Sequence, residues 1–195
     1  MKGLFVVIEG LDQSGKKTQT RLLASRLRKK GYDVEVISFP DYNTAVGKEI
    51  RMFLEGERDF SPEVRQFLYV ANRWERKKDI ETWLKSGKIV IADRYMQSNL
   101  AYGIANGLDL RWMLSLEQGL PKSDVTIVID ISVDTAFKRR EGGRDVYERN
   151  REFLNKIRAA YLSLAKRYGW FVVNGEASIE IVAENIWKIV SKYRA

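Results

Sequence analysis

At 195 residues, with 45% hydrophobic and 31% charged side chains, the chain has the make-up of one soluble globular domain with a substantial core. It contains no cysteine and no histidine, which excludes disulfides, thiol nucleophiles, cysteine zinc sites and imidazole acid–base chemistry, so any catalysis must rest on carboxylates, arginines, lysines and a bound metal. The formal charge of +8 suits nucleic acid and polyphosphate ligands equally, and the pattern shows neither a signal peptide nor a bilayer-spanning run, so a cytoplasmic protein is expected.

Leu4 to Ile8 is apolar on both faces, as a central parallel strand covered by helices must be. Gly10-Leu11-Asp12-Gln13-Ser14-Gly15-Lys16-Lys17-Thr18 follows it and precedes a helical pattern from Thr18 to Lys30, with Leu22, Leu23 and Leu27 inward and Gly31 as the stop. Val34 to Ser38 reads as a second strand, broken at Pro40. Thr44 to Leu54 is a short helix, and Ser61-Pro62 opens a long one that runs to about Lys85 and stops before Gly87. Lys88 to Ala92 is the third strand, with Asp93-Arg94-Tyr95 at its carboxyl end. A helical stretch over Gln97 to Glu117, broken around Gly107, leads through the turn Gly119-Leu120-Pro121-Lys122 into a fourth strand, Val125 to Ile129. Helices over Val133 to Arg140 and Tyr147 to Tyr168, a fifth strand at Trp170 to Val173, and a helix over Ser178 to Lys192 complete the chain. In the last helix Ile179, Ile181, Val182, Ile186 and Ile189 are the expected core stripe. With no repeat and no long linker, strands alternating with helices predict an α/β fold, a single domain over 1–195 with a five-stranded parallel sheet.

A strand that feeds a Gly-rich turn into a helix start aims backbone N–H groups and the helix dipole at one anion, and Lys16 adds a point charge. Residues Gly10 to Thr18 are therefore a candidate phosphate-binding loop. The G-x-x-x-x-G-K-[ST] pattern is met at Gly10, Gly15 and Lys16, but Lys17 stands where the magnesium-binding hydroxyl belongs, and Thr18 comes one residue late.

Phe39-Pro40, Ala71-Asn72-Arg73-Trp74-Glu75, Asp93-Arg94-Tyr95 and Gly119-Leu120-Pro121-Lys122, in this order around the loop with Asp12, resemble the thymidylate kinases across nearly the whole chain. The resemblance implies a P-loop NTPase fold, a homodimer, and transfer of the γ-phosphoryl group of ATP to dTMP with Mg2+. Tyr69 and Arg73 are four apart on one helix face, where a ring can stack on a base while a guanidinium bonds its edge. Read alone they would more readily be a core aromatic and an ion pair; the resemblance assigns them to thymine.

By the same resemblance Arg94 binds the acceptor phosphate, Asp93 holds magnesium directly or through water, and Asp12 meets the nucleotide sugar. A structural Asp93–Arg94 pair and a turn-stabilising Asp12 are the plainer alternatives. Ser98 and Tyr102 match positions lining the nucleoside site, where the Tyr102 ring would crowd a 2′-hydroxyl; Phe39 belongs to the Phe-Pro motif, and Tyr42 stands where that motif has an arginine. Gln13 takes a position that is arginine in one branch of the family. The basic run of residues 138–147 has a lid's composition, and the transition-state cation is expected among Arg139, Arg140 and Arg144, alongside Lys16, Asp93 and Arg94. Two rivals stay open: another nucleoside or nucleotide kinase of this fold, and a non-catalytic nucleotide or nucleic-acid binder.

Overall fold

The computed structural model describes residues 3–139, 147 and 150–193. Five parallel strands form one sheet: β1 (Leu4–Glu9), β2 (Val34–Ser38), β3 (Ile89–Asp93), β4 (Val125–Asp130) and β5 (Phe171–Asn174), in the order β2-β3-β1-β4-β5. All six residues of β1 are buried, as expected for the middle strand of a sheet covered on both faces. Eight helices were found among the described residues: α1 (Lys16–Lys29), α2 (Ala45–Glu55), α3 (Pro62–Lys85), α4 (Met96–Ala105), α5 (Leu110–Leu116), α6 (Val133–Arg139), α7 (Arg151–Tyr168) and α8 (Ile179–Val190). None is long and apolar enough to cross a membrane.

The two faces of β1 serve two apolar layers. Leu4, Val6 and Ile8 pack with Leu23 and Leu27 of α1 and with Val182, Ile186 and Val190 of α8; Phe5 and Val7 pack with Ile80 of α3 and with Tyr95. A third layer gathers Leu100, Met113, Leu154, Ile157 and Leu164 where α4 packs against α5 and α7. In register, Ile8 is opposite Asp93, and Asp93 is opposite Ser38, so β1, β2 and β3 deliver their chemistry to one carboxyl edge.

Two expectations change. The core stripe of α8 is Val182, Ile186 and Val190, whereas Ile179 and Ile181 are each 54% exposed. Ile179 follows the stripe's spacing but lies in the first turn, where the helix start lines a cavity at the sheet edge instead of the core. The helix predicted from Tyr147 begins at Arg151, because the Asn150 side chain accepts from Phe153 N at 3.0 Å and caps it there. Tyr147 is thereby left outside α7 with its ring buried beside Phe53, Tyr102 and Phe153.

Candidate active site

The loop from Gly10 to Gly15 joins β1 to α1. Gly10 sits at φ 138°, where a β-carbon would run into the Ile129 carbonyl, and Gly15 caps α1 at φ 92°, so both positions need the freedom of glycine. Neither a side-chain cap nor an acidic residue occupies the first turn of α1, which leaves its N–H groups facing the cavity. Lys16 is buried and donates from Nζ to the Leu11 carbonyl at 2.7 Å, with Asp12 at 3.8 Å. Burial, then the Arg94 charge, pull the Lys16 ammonium down, opposed by Asp12, Asp93 and Glu9. An incoming polyphosphate would reverse that imbalance.

Two cavities meet at this point. One, of about 720 Å³, runs along the loop past Lys16, Lys17, Thr18, Asp93 and Arg139 to the start of α8. The other, of about 100 Å³, is walled by Phe39, Tyr42, Tyr69, Arg73, Tyr95 and Tyr102, with Ser98 and Tyr147 also lining it. Asp12, Phe39, Pro40, Tyr42 and Arg94 line both.

Arg94 stands at the junction in the left-handed region, at φ 68°, its amide donating to the Ile8 carbonyl at 3.0 Å. Its guanidinium donates to Asp12 Oδ1 at 2.5 Å, Ser98 Oγ at 3.0 Å and Tyr161 Oη at 3.3 Å. Burial would raise the Asp12 carboxyl, but Arg94 and then Lys16 outweigh it and hold it well below the ordinary carboxylate range. The sequence offered a choice between an Asp93–Arg94 pair and an Arg94 free for substrate; the guanidinium pairs instead with Asp12, and the Asp93 carboxylate makes no hydrogen bond or ion pair among the described residues.

Behind Arg94 lies Glu9, fully buried. Its carboxylate accepts from Tyr95 N at 2.8 Å, Ser98 N at 3.1 Å, Ser98 Oγ at 2.6 Å and Tyr161 Oη at 2.9 Å. Burial pushes the Glu9 carboxyl up, against the pull of Arg94 and these hydrogen bonds. Sequence reasoning passed over Glu9, although a carboxylate ending an otherwise apolar strand is a signal.

Arg73, placed on α3 one helical turn after Tyr69, is 2% exposed and forms a bidentate pair with Glu117 through Nε, at 3.2 Å, and Nη2. Glu117 also accepts from Asn99 Nδ2 at 2.9 Å. The ion-pair reading and the ligand-facing reading of Arg73 thus coexist: one edge of the guanidinium is fixed while the residue still lines the smaller cavity. Nothing local in the sequence points to Glu117, which is distant from Arg73 in the chain. Asn72 ties the loop after β2 to α3, accepting from Asp41 N at 2.8 Å and donating to Thr44 Oγ1 at 2.8 Å. The Arg51 guanidinium of α2 lies 5.1 Å from the ring centre of Tyr42 in that loop. Burial raises the Tyr69 hydroxyl well above its usual range, and its hydrogen bond to Tyr147 adds to this.

Arg139 ends α6 and donates to the Gly175 carbonyl at 3.0 Å, with the Gln13 carbonyl at 3.5 Å, which sets it beside the loop from Gly10 to Gly15. Arg140, Arg144 and most of the expected lid lie outside the described residues.

The chain as a whole is similar to known proteins. The family model of thymidylate kinase matches residues 8–186. The chain belongs to the thymidylate kinase family. It is 40% identical over 199 aligned positions to the "Probable thymidylate kinase" of Thermococcus onnurineus, covering 96% of this chain and 97% of that one. To the thymidylate kinase of Plasmodium falciparum it is 35% identical over 194 positions, covering 99% and 92%. The solved thymidylate kinase of Candida albicans superposes with a TM-score of 0.89 at 29% identity, over 99% of this chain and 93% of that one; its title speaks of broad substrate specificity for that protein. The chain is thus a kinase of the thymidylate kinase family with the P-loop NTPase fold, and its loop from Gly10 to Gly15 follows the central strand β1.

Proposed function

We propose that this family member transfers the γ-phosphoryl group of ATP to the phosphate of dTMP, giving ADP and dTDP. The observation that carries the reading is the junction at Asp12 and Arg94, where an aromatic cavity for a base opens onto a basic cavity for phosphates. An acceptor phosphate oxygen forms the new bond to the γ-phosphorus while the bond from that phosphorus to the β–γ bridging oxygen breaks, leaving on ADP. Because the acceptor is already an anion, no side chain has to remove a proton, and a chain without histidine loses nothing.

In this reading the backbone of Gly10 to Thr18 and the Lys16 ammonium hold the donor phosphates, and Arg94 orients the acceptor phosphate. Tyr69 stacks on thymine, Arg73 bonds its edge, and Phe39, Tyr42, Ser98 and Tyr102 close the nucleoside site around Asp12. Arg139, next to Gln13, is the described candidate for the cation facing the transferring group, with Arg140 and Arg144 as further candidates. Mg2+, when bound with ATP, neutralises phosphate charge, and Asp93 fits it as an oxygen ligand because its carboxylate is unengaged among the described residues and lines the donor cavity.

A homodimer fits one exposed stripe. Val64, Phe67 and Trp74 of α3 are 41%, 52% and 44% exposed at helical spacing, with Trp112 edge-on to Phe67 at 5.7 Å. The single-domain, cytoplasmic reading completes the proposal. ADP release with ATP and magnesium against dTMP, dUMP, dGMP, UMP, CMP, AMP and thymidine tests it. Turnover confined to dTMP and dUMP is expected; no turnover with either would overturn it.

A further inference from the structure

Lys17 is the second residue of α1, exposed, and it lines the donor cavity with Lys16, Asp93, Arg94 and Arg139. Its ammonium has no partner among the described residues. It occupies the place where the loop pattern puts the hydroxyl that ligates magnesium. We propose that the Lys17 ammonium supplies part of the charge a divalent cation otherwise carries at this site, so that the chain binds a nucleoside di- or triphosphate with little help from magnesium. The inference rests on the reading of Gly10 to Thr18 as the donor loop.

Three observations support it. Asp12, one of two carboxylates lining the cavity, is engaged by Arg94 at 2.5 Å and lies 3.8 Å from Lys16, so Asp93 is the carboxylate left for a metal. No cluster of three or more metal-ligating side chains exists among the described residues. Thr18 cannot restore the lost ligand geometry, because one helical step turns it about 100° from position 17.

Charge points the same way. Lys16, Lys17, Arg94 and Arg139 bring four positive charges to the cavity against the two carboxylates of Asp12 and Asp93. The excess of two equals the charge of one divalent cation, and a hydroxyl at position 17 would halve it. The first turn of α1 carries no acidic residue to cancel it. An ammonium on a flexible four-carbon stem, with three donors, can meet non-bridging phosphate oxygens without a metal's fixed coordination geometry.

The test is calorimetric titration of ADP into the full chain and into Lys17→Thr and Lys17→Met, each with excess magnesium and with a chelator. Wild-type Kd should change by less than about threefold on chelation, while Lys17→Thr should lose about tenfold or more and regain it with magnesium. Lys17→Met should bind weakly under both conditions. An exposed side chain can be exchanged without unfolding, and melting curves of both variants check that. A wild-type loss of about tenfold on chelation, or a Lys17→Thr variant as indifferent to magnesium as wild type, would overturn the proposal. Both readouts are independent of the acceptor panel: failure of dTMP turnover with this binding pattern intact would sink the kinase reading and leave the Lys17 inference standing.

Discussion

Ser98 gives both its donors to Glu9, its amide to one carboxylate oxygen at 3.1 Å and its hydroxyl to the other at 2.6 Å. The Tyr95 amide joins at 2.8 Å, so a carboxylate from β1 satisfies two free N–H groups at the start of α4. The same Ser98 hydroxyl meets Arg94 at 3.0 Å, which makes Glu9 a brace for the residue that would hold the acceptor phosphate.

Glu9→Ala should therefore destabilise the fold by about 3 kcal/mol, because buried donors lose their partner. Glu9→Gln, which keeps the shape, should cost less and raise KM for dTMP more than it lowers kcat. Urea unfolding and steady-state kinetics check the two parts. Unchanged stability in Glu9→Ala would show that the helix start is held by other means.

Glu117 and Arg73 are both nearly inaccessible, and their pairing neutralises a charge inside the protein. Glu117→Ala should cost about 3–5 kcal/mol by leaving the guanidinium buried and unpaired. In Glu117→Gln, Arg73 keeps a hydrogen-bonding neighbour but loses the bidentate clamp, and dTMP binding should weaken about tenfold. Equal dTMP affinity in that variant would remove Glu117 from any positioning role.

The pH dependence of stability has two opposite components. Asp12 is held below its ordinary value of 3.8, so its contribution is complete above that pH and is lost as pH falls through the folded value. Glu9 is raised above 4.5, so the folded chain holds its proton longer, and stability declines as pH rises from 4.5 through the folded value. Melting temperatures measured from pH 2 to 7 should show a shallower acid limb in Asp12→Asn than in wild type. An unchanged acid limb would mean that the Arg94 pairing does not outweigh burial.

Gly47, in the first turn of α2, has no room for a β-carbon, which would run into the Asp41 backbone carbonyl. Gly47→Ala should cost about 1–3 kcal/mol and disturb the loop that carries Tyr42. Gly31→Ala meets only its positive φ of 85°, with open space around it, and should cost about 1 kcal/mol. Comparing the two by thermal unfolding separates a packing clash from a backbone penalty; equal losses would contradict the crowding at Gly47.

The apolar face of α3 gives a test of assembly. Phe67→Glu should shift the mass measured by light scattering from dimer to monomer while the ellipticity is retained. A variant that stays dimeric would place the interface elsewhere.

The amino-acid sequence by itself determined the element order, the parallel sheet and the phosphate loop. These follow from short-range physics: strands apolar on both faces, Ser61 as a cap, and glycines where the chain must turn. It also determined that Lys17 replaces a hydroxyl. What tertiary structure alone decided is which groups meet. Glu9 and Tyr161, like Arg73 and Glu117, lie far apart in the chain, and their pairings depend on how α3, α5 and α7 pack around the sheet rather than on any local pattern. Tyr147 looked like a helix residue until the cap at Asn150 left its ring lining the smaller cavity. Ile179 and Ile181 had the composition of a core stripe, yet periodicity cannot say where a helix extends past the sheet it covers. Local patterns fix the elements because their hydrogen bonds and apolar faces are set over a few residues; the site needs contacts across the whole chain, which only the packed sheet brings together.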